Sequence, residues 1–155
     1  MATAKPQRED TSGVHVWLVT WKAYAALARH AQAHIETLGL GASEFGVLEA
    51  LLAQGPQPVN VIGPKVGLTS GSISVAVDRL VTRGLVRRRR DDPADRRVCL
   101  VELTDAGRAV IVPGFEAHRA AMETAAAGLT TEERATLLGL LKKLGKEADA
   151  RGQAK

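Results

Sequence analysis

The chain has 155 residues, 45% hydrophobic and 25% charged, the proportions of one ordinary globular domain with a reasonable core. Its formal net charge is +4 and its pI about 9.6, a basic balance that favours an anionic partner. A single cysteine excludes an internal disulfide framework, and an aromatic content of 3% argues against a single-strand binder built on stacked rings. No apolar run reaches the ~18 residues of a membrane span. The segment MATAKPQREDTSG lacks the apolar core of a signal peptide, so a reducing, cytoplasmic setting without membrane contact is expected.

Residues 1–12 are polar, contain Pro6 and read as a flexible arm. From Val14 apolar residues recur at three- and four-residue steps (Leu18, Trp21, Ala25, Ala28, and again Trp17, Tyr24, Ala31), which predicts a helix apolar over a wide arc and ending near Leu38. Ser43 is the expected N-cap of a second helix that stops at Gln54-Gly55-Pro56. A short third helix is expected over Val59–Val66, with Gly67 as the corner. Thr69 or Ser70 caps a fourth helix through about Arg83, with Ile73, Val77 and Leu80 as its buried stripe and Gly84 as its terminator.

Leu85–Arg89 and Val98–Leu103 read as the two strands of a hairpin, with Asp91, Asp92, Pro93, Ala94 and Asp95 in the loop between them. Thr104 caps a long helix starting at Asp105, in which Pro113-Gly114 is expected to produce a bend or a break. Thr130 and Glu133 fit the capping box of a last helix, whose apolar face carries Leu137, Leu138, Leu140, Leu141 and Leu144. After Asp149 the chain is polar and expected to fray. The fold class is thus mainly α with a small β-hairpin wing (α+β). A winged helix-turn-helix is expected over residues 41–104, flanked by a helical region, 13–40 and 105–149, expected to serve dimerisation, with 150–155 as a frayed tail.

The candidate site lies in the middle of the chain. Opposite the buried stripe of the fourth helix stand Ser70, Ser72, Ser74 and Arg79. Short side chains let a helix backbone approach the floor of a major groove, and the free N–H groups at its start favour phosphate. Serines alone favour a plain capped and solvated helix; the hairpin that follows reverses the reading. Arg87, Arg88, Arg89 and Arg90 alternate across one strand, so Arg87 and Arg89 share a face that can meet a duplex, while the other face meets solvent or an acidic neighbour. Arg96 and Arg97 sit at the loop, where an arginine on a thin hairpin can enter a minor groove. Asp95 is close enough to a guanidinium to stiffen the tip.

VDRL at Val77–Leu80, RGLVRR at Arg83–Arg88, DPADRR at Asp92–Arg97 and LTDAGR at Leu103–Arg108 together resemble the MarR family of bacterial winged-helix regulators, over roughly residues 14–148. The resemblance implies a homodimer held by the N- and C-terminal helices, a recognition helix at about Ser70–Arg83 and a wing at about Arg87–Leu103. It also implies that Arg97 is the minor-groove arginine and Asp95 its loop-ordering partner, and that a pseudo-palindromic operator is bound, most simply by a repressor that an effector releases. Gly63-Pro64 departs from the family's usual third helix and is expected to delay or distort it.

The wide apolar arcs of the first and last helices support a shared bundle independently of the resemblance. For the effector, a small aromatic or anionic molecule, the candidate residues are His15, Trp17, Trp21 and Tyr24 on the first helix, with ordinary packing as the competing reading. His30 and His34 have a metal-pair spacing that nothing nearby completes, so neither metal nor cofactor is expected. Cys99, beside Arg96 and Arg97 in the second wing strand, offers a redox-responsive alternative. A second alternative is a winged-helix module that binds protein. The chain shows no phosphate loop, nucleophile elbow or HExxH, and an enzyme is not expected.

Overall fold

The computed structural model describes residues 10–89 and 99–152. The chain divides into two compact units, residues 1–122 and 123–155. In the first unit α1 (Gly13–Thr37) starts at Ser12, whose hydroxyl accepts from the His15 N–H at 3.2 Å. Next come α2 (Ala42–Gln54), β1 (Gln57–Pro58), α3 (Val59–Lys65), α4 (Ser70–Thr82), β2 (Val86–Arg89), β3 (Leu100–Leu103) and α5 (Asp105–Ala125), the last of which runs on into the second unit.

The core lies between α2, α3, α4 and the sheet, where Leu48, Ile62, Ile73, Val77, Leu80 and Val101 are almost wholly buried, together with Ile111 of α5. The expected stripe of α4 is therefore correct, with Ala76 added to it. The sheet is antiparallel in the order β1-β3-β2, with Arg87 opposite Glu102 and Gln57 opposite Val101. β1 was not expected: two residues are too few to show alternation, and Pro58 is accommodated because it lies on an edge strand. Buried Gln57 fixes this strand by donating to the Ala50 carbonyl at 3.3 Å and accepting from Lys65 Nζ at 2.5 Å.

Several local expectations are corrected. The N-cap of α2 is Gly41, not Ser43, because Glu44 reaches back to accept from the Gly41 N–H at 2.8 Å and satisfies the helix start. α3 begins at Val59 and is not delayed. Pro64 stands one residue before its end, so only the Asn60 carbonyl loses a helical partner. Gly63 has a packing role: a Cβ there would lie 3.3 Å from both Ile73 Cγ2 and the Leu68 carbonyl, so glycine lets α3 close onto α4.

α5 continues through Pro113-Gly114 without a break. Packing holds it there, since Ile111 is buried and Gly114 seats against Leu38, whose Cδ1 would be 3.0 Å from an added Cβ. β2 starts at Val86 rather than Leu85, and β3 at Leu100, so Cys99 precedes the strand. Gly84 ends α4 as expected, at φ 69°: its N–H donates to the Val81 carbonyl at 2.9 Å and the next, from Leu85, to the Leu80 carbonyl at 3.0 Å.

In the second unit α6 (Thr131–Gly152) is capped by Thr130 and Glu133, as the sequence predicts. The Thr130 N–H donates to Glu133 at 2.8 Å and the Glu133 N–H to the Thr130 hydroxyl at 3.2 Å. The helix runs to Gly152, past the expected fraying point at Asp149. α6 has no buried residue.

Candidate DNA-binding interface

Thr69 builds the start of α4: its hydroxyl accepts from the Ser72 N–H at 3.2 Å and donates to the Ser72 hydroxyl at 2.9 Å. Ser74 donates to the Ser70 carbonyl at 2.9 Å, which folds its hydroxyl onto the helix and leaves the oxygen able to accept. Ser70, Ser72, Ser74 and Arg79 are all exposed, on the face opposite the core stripe. Sequence reasoning missed two neighbours on that face, Gly71 and Val75. Val75 is 51% exposed in the middle of an otherwise polar surface, and its position three residues after Ser72 was the available signal.

α4 stands as a ridge between hollows. On the α2 side an open hollow of about 550 Å³ is lined by Gly41, Ser43, Glu44, Thr69, Ser72 and Arg79. On the α3 side one of about 300 Å³ lies between Asn60, Pro64, Leu68, Ser70 and Ser74. A protruding helix flanked by recesses has the relief needed to enter a major groove while the backbones of the duplex pass on either side.

The arginines differ in how they are held. Arg83 pairs with Glu44 at 3.4 Å, tying the end of α4 to the start of α2. Arg88 pairs with Asp78 at 2.7 Å, tying β2 to α4. Arg87 and Arg89 share one strand face, as alternation requires, and both meet Glu102 of β3, at 2.6 and 3.2 Å. Arg79 has no carboxylate partner among the described residues and is the guanidinium most available on the ridge. Glu102 escaped sequence reasoning because one acid in an apolar strand acquires its meaning only from the register. Arg90, Asp95, Arg96 and Arg97 lie outside the described residues.

The wing is fixed at its root. The Thr104 hydroxyl donates to the Gly84 carbonyl at 2.7 Å and accepts from the Gly107 N–H at 3.0 Å, while the Thr104 N–H donates to the Leu85 carbonyl at 3.1 Å. A Cβ on Gly107 would fall 1.9 Å from that same Leu85 carbonyl oxygen, so the first turn of α5 reaches this position only with glycine. This is the structural content of the Leu-Thr-x-x-Gly run.

Away from this face, His15, Trp17, Trp21 and Tyr24 are all exposed along α1, and His15 lies 3.9 Å from the Asp10 carboxylate. His34 pairs not with His30 but with His118 of α5, Nδ1 to Nδ1 at 3.3 Å, and the Phe45 ring lies 4.8 Å from that of His118. Burial and the neighbouring His34 hold the His118 imidazole below the ordinary histidine value of 6.5, with Glu49 pulling the other way. Half-buried Cys99 has its Sγ 4.0 Å from the Leu100 carbonyl. Among the described residues no three metal-ligating side chains gather, and no helix is long and apolar enough to cross a membrane.

A helix-turn-helix whose second helix is exposed, followed by an antiparallel hairpin locked to its end, defines a winged helix-turn-helix protein. A sequence profile described as the MarR family matches residues 38–98. The HTH-type transcriptional regulator MhqR of Bacillus subtilis is 35% identical over 133 residues, 86% of this chain and 91% of that protein. A mutant MarR from E. coli, solved in complex with operator DNA, is similar with a TM-score of 0.76 and 25% identity, over 84% of this chain and 94% of that one. BpsR of Bordetella bronchiseptica, whose structure concerns regulation of its DNA binding by 6-hydroxynicotinic acid, has a TM-score of 0.67 and 30% identity over 84% of this chain and 98% of that one. The chain belongs to the MarR family: it is a DNA-binding transcriptional regulator and not an enzyme.

Proposed function

We propose that this regulator is a homodimeric repressor that reads a pseudo-palindromic operator and is released by a small aromatic or anionic effector. The observation that carries the DNA reading is α4 itself, locked to the core by Ile73, Ala76, Val77 and Leu80 while presenting outward small and polar residues and Arg79, which has no carboxylate partner among the described residues. Ser70, Ser72, Ser74 and Arg79 enter the major groove. The wing, with Arg87, Arg89, Asp95, Arg96 and Arg97, follows the backbone into the adjacent minor groove.

The dimer reading is supported by apolar surface that a lone chain leaves wet. Trp17, Trp21 and Tyr24 are 65%, 55% and 69% exposed on α1, and Leu138 and Leu140 are 55% and 60% exposed on α6. Surfaces of this kind mark association sites, and two-fold symmetry then requires a two-fold site with half-sites about one helical turn apart. The effector reading is supported by the BpsR likeness and by the aromatic face of α1 with His15, Trp17, Trp21 and Tyr24.

The test is fluorescence anisotropy with duplex from upstream of the chain's own gene, repeated across salt concentrations. The logarithm of affinity should fall with the logarithm of salt by about 0.9 per phosphate neutralised, and a flat dependence would overturn the reading. Arg79→Ala should cost about 1–3 kcal/mol of operator affinity at unchanged thermal stability. For the effector, 6-hydroxynicotinic acid is a first probe: a ligand that binds the folded dimer raises the melting temperature.

A further inference from the structure

Val75 stands in the middle of the ridge that α4 presents outward and is 51% exposed. It lies one helical turn after Gly71 and one before Arg79. Side chains on a helix lean towards its N-terminus, so the valine methyls lie over the turn that holds Gly71. A Cβ at Gly71 would meet nothing within 4 Å, so the glycine leaves open space beside the isopropyl group. Val75 borders both the hollow beside α2 and a second recess that runs on past Asp78, Thr82 and Arg83. An exposed β-branched residue weakens a helix relative to alanine, so the stability of α4 does not account for a valine here.

The other side chains of the ridge carry little base preference. A serine hydroxyl both donates and accepts, so Ser70, Ser72 and Ser74 suit several base edges. A guanidinium such as that of Arg79 is drawn to phosphate as well as to guanine. An apolar side chain has one matching feature on the major-groove edges of the four bases, the 5-methyl group of thymine. We infer that Val75 is a specificity-determining residue that packs on a thymine methyl in each half-site. Gly71 lets the helix backbone come close enough for that contact, and the branched Cβ holds both valine methyls in one rotamer, so little freedom is lost on binding. This inference rests on the reading of α4 as the recognition helix of a dimer on a two-fold operator.

The experiment measures anisotropy of the full-length chain on the upstream duplex made with thymine and on the same duplex made with deoxyuridine, which lacks only the methyl. The parent should bind the uracil duplex about fourfold more weakly for one lost contact and roughly fifteenfold for two. Val75→Ala should weaken the thymine duplex by a similar factor, and uracil should then cost this variant less than about twofold, because the methyl has lost its partner. Two losses that simply multiply would overturn the inference, and so would a V75A protein that binds the thymine duplex like the parent. V75A should melt at the parent's temperature or slightly above it. A melting temperature lower by more than about 5 °C would make Val75 a packing residue instead and would also overturn the inference. A parent that prefers the upstream duplex over a random one of equal length, yet shows no such coupling, loses only the role of Val75. A parent without that preference loses the operator reading and this inference together.

Discussion

α2 and α6 make opposite use of their apolar residues. α2 has 13 residues and buries six of them, with Leu48 and Leu51 nearly inaccessible. α6 has 22 residues, five of them leucines on the expected apolar face, and buries none. α1 resembles α6: among its 25 residues only Ile35 is buried. Helix-forming pattern and burial are thus separate properties. The winged part closes its core within one chain, whereas α1 and α6 each leave apolar surface exposed, which the proposed second copy would cover.

The contrast can be broken first at the core. Leu80→Ala removes a wholly buried side chain and should cost about 2–5 kcal/mol, lowering the melting temperature by roughly 5–15 °C. Leu140→Ala removes the same atoms from α6. If dimerisation buries that side chain, the change should weaken the dimer by about 1.5–3 kcal/mol, roughly ten- to a hundredfold in its dissociation constant by sedimentation equilibrium. A change within about 0.5 kcal/mol would mean that the α6 surface stays wet.

Gly107→Ala should cost about 1–3 kcal/mol in chemical denaturation, because the new methyl meets a backbone oxygen that cannot swing aside. The smallest effect concerns the His34–His118 contact. The folded chain resists protonating His118, while the unfolded chain takes up the proton near pH 6.5, so this contribution to stability is complete above that value and declines on acidification. The melting temperature should fall gently between about pH 7 and 5.5, and His118→Gln should flatten that fall.

Much of the winged part was legible in the sequence because its signals are local. The stripe Ile73, Val77, Leu80, the terminator Gly84 and the cap Thr104 each act within a few residues. What escaped depends on partners distant in sequence. Glu102 matters because register sets it against Arg87, and His34 because α5 brings His118 to it. Gly63-Pro64 reads as a helix defect when only the helix is considered, and as a fitted contact once Ile73 is beside it. Ser43 was a reasonable cap, displaced because the longer Glu44 side chain does the same job from inside the helix. The apolar faces of α1 and α6 read from the sequence as a shared bundle, and the single chain leaves them exposed.

The joint at Thr104 and Gly107 has a mechanical consequence. The end of α4, the start of β2 and the first turn of α5 converge there on the carbonyls of Gly84 and Leu85, with no room for even a methyl group. Such a joint has no slack. A shift of the first turn of α5 must carry the tail of α4 and the base of the hairpin with it, as a crank carries its shaft.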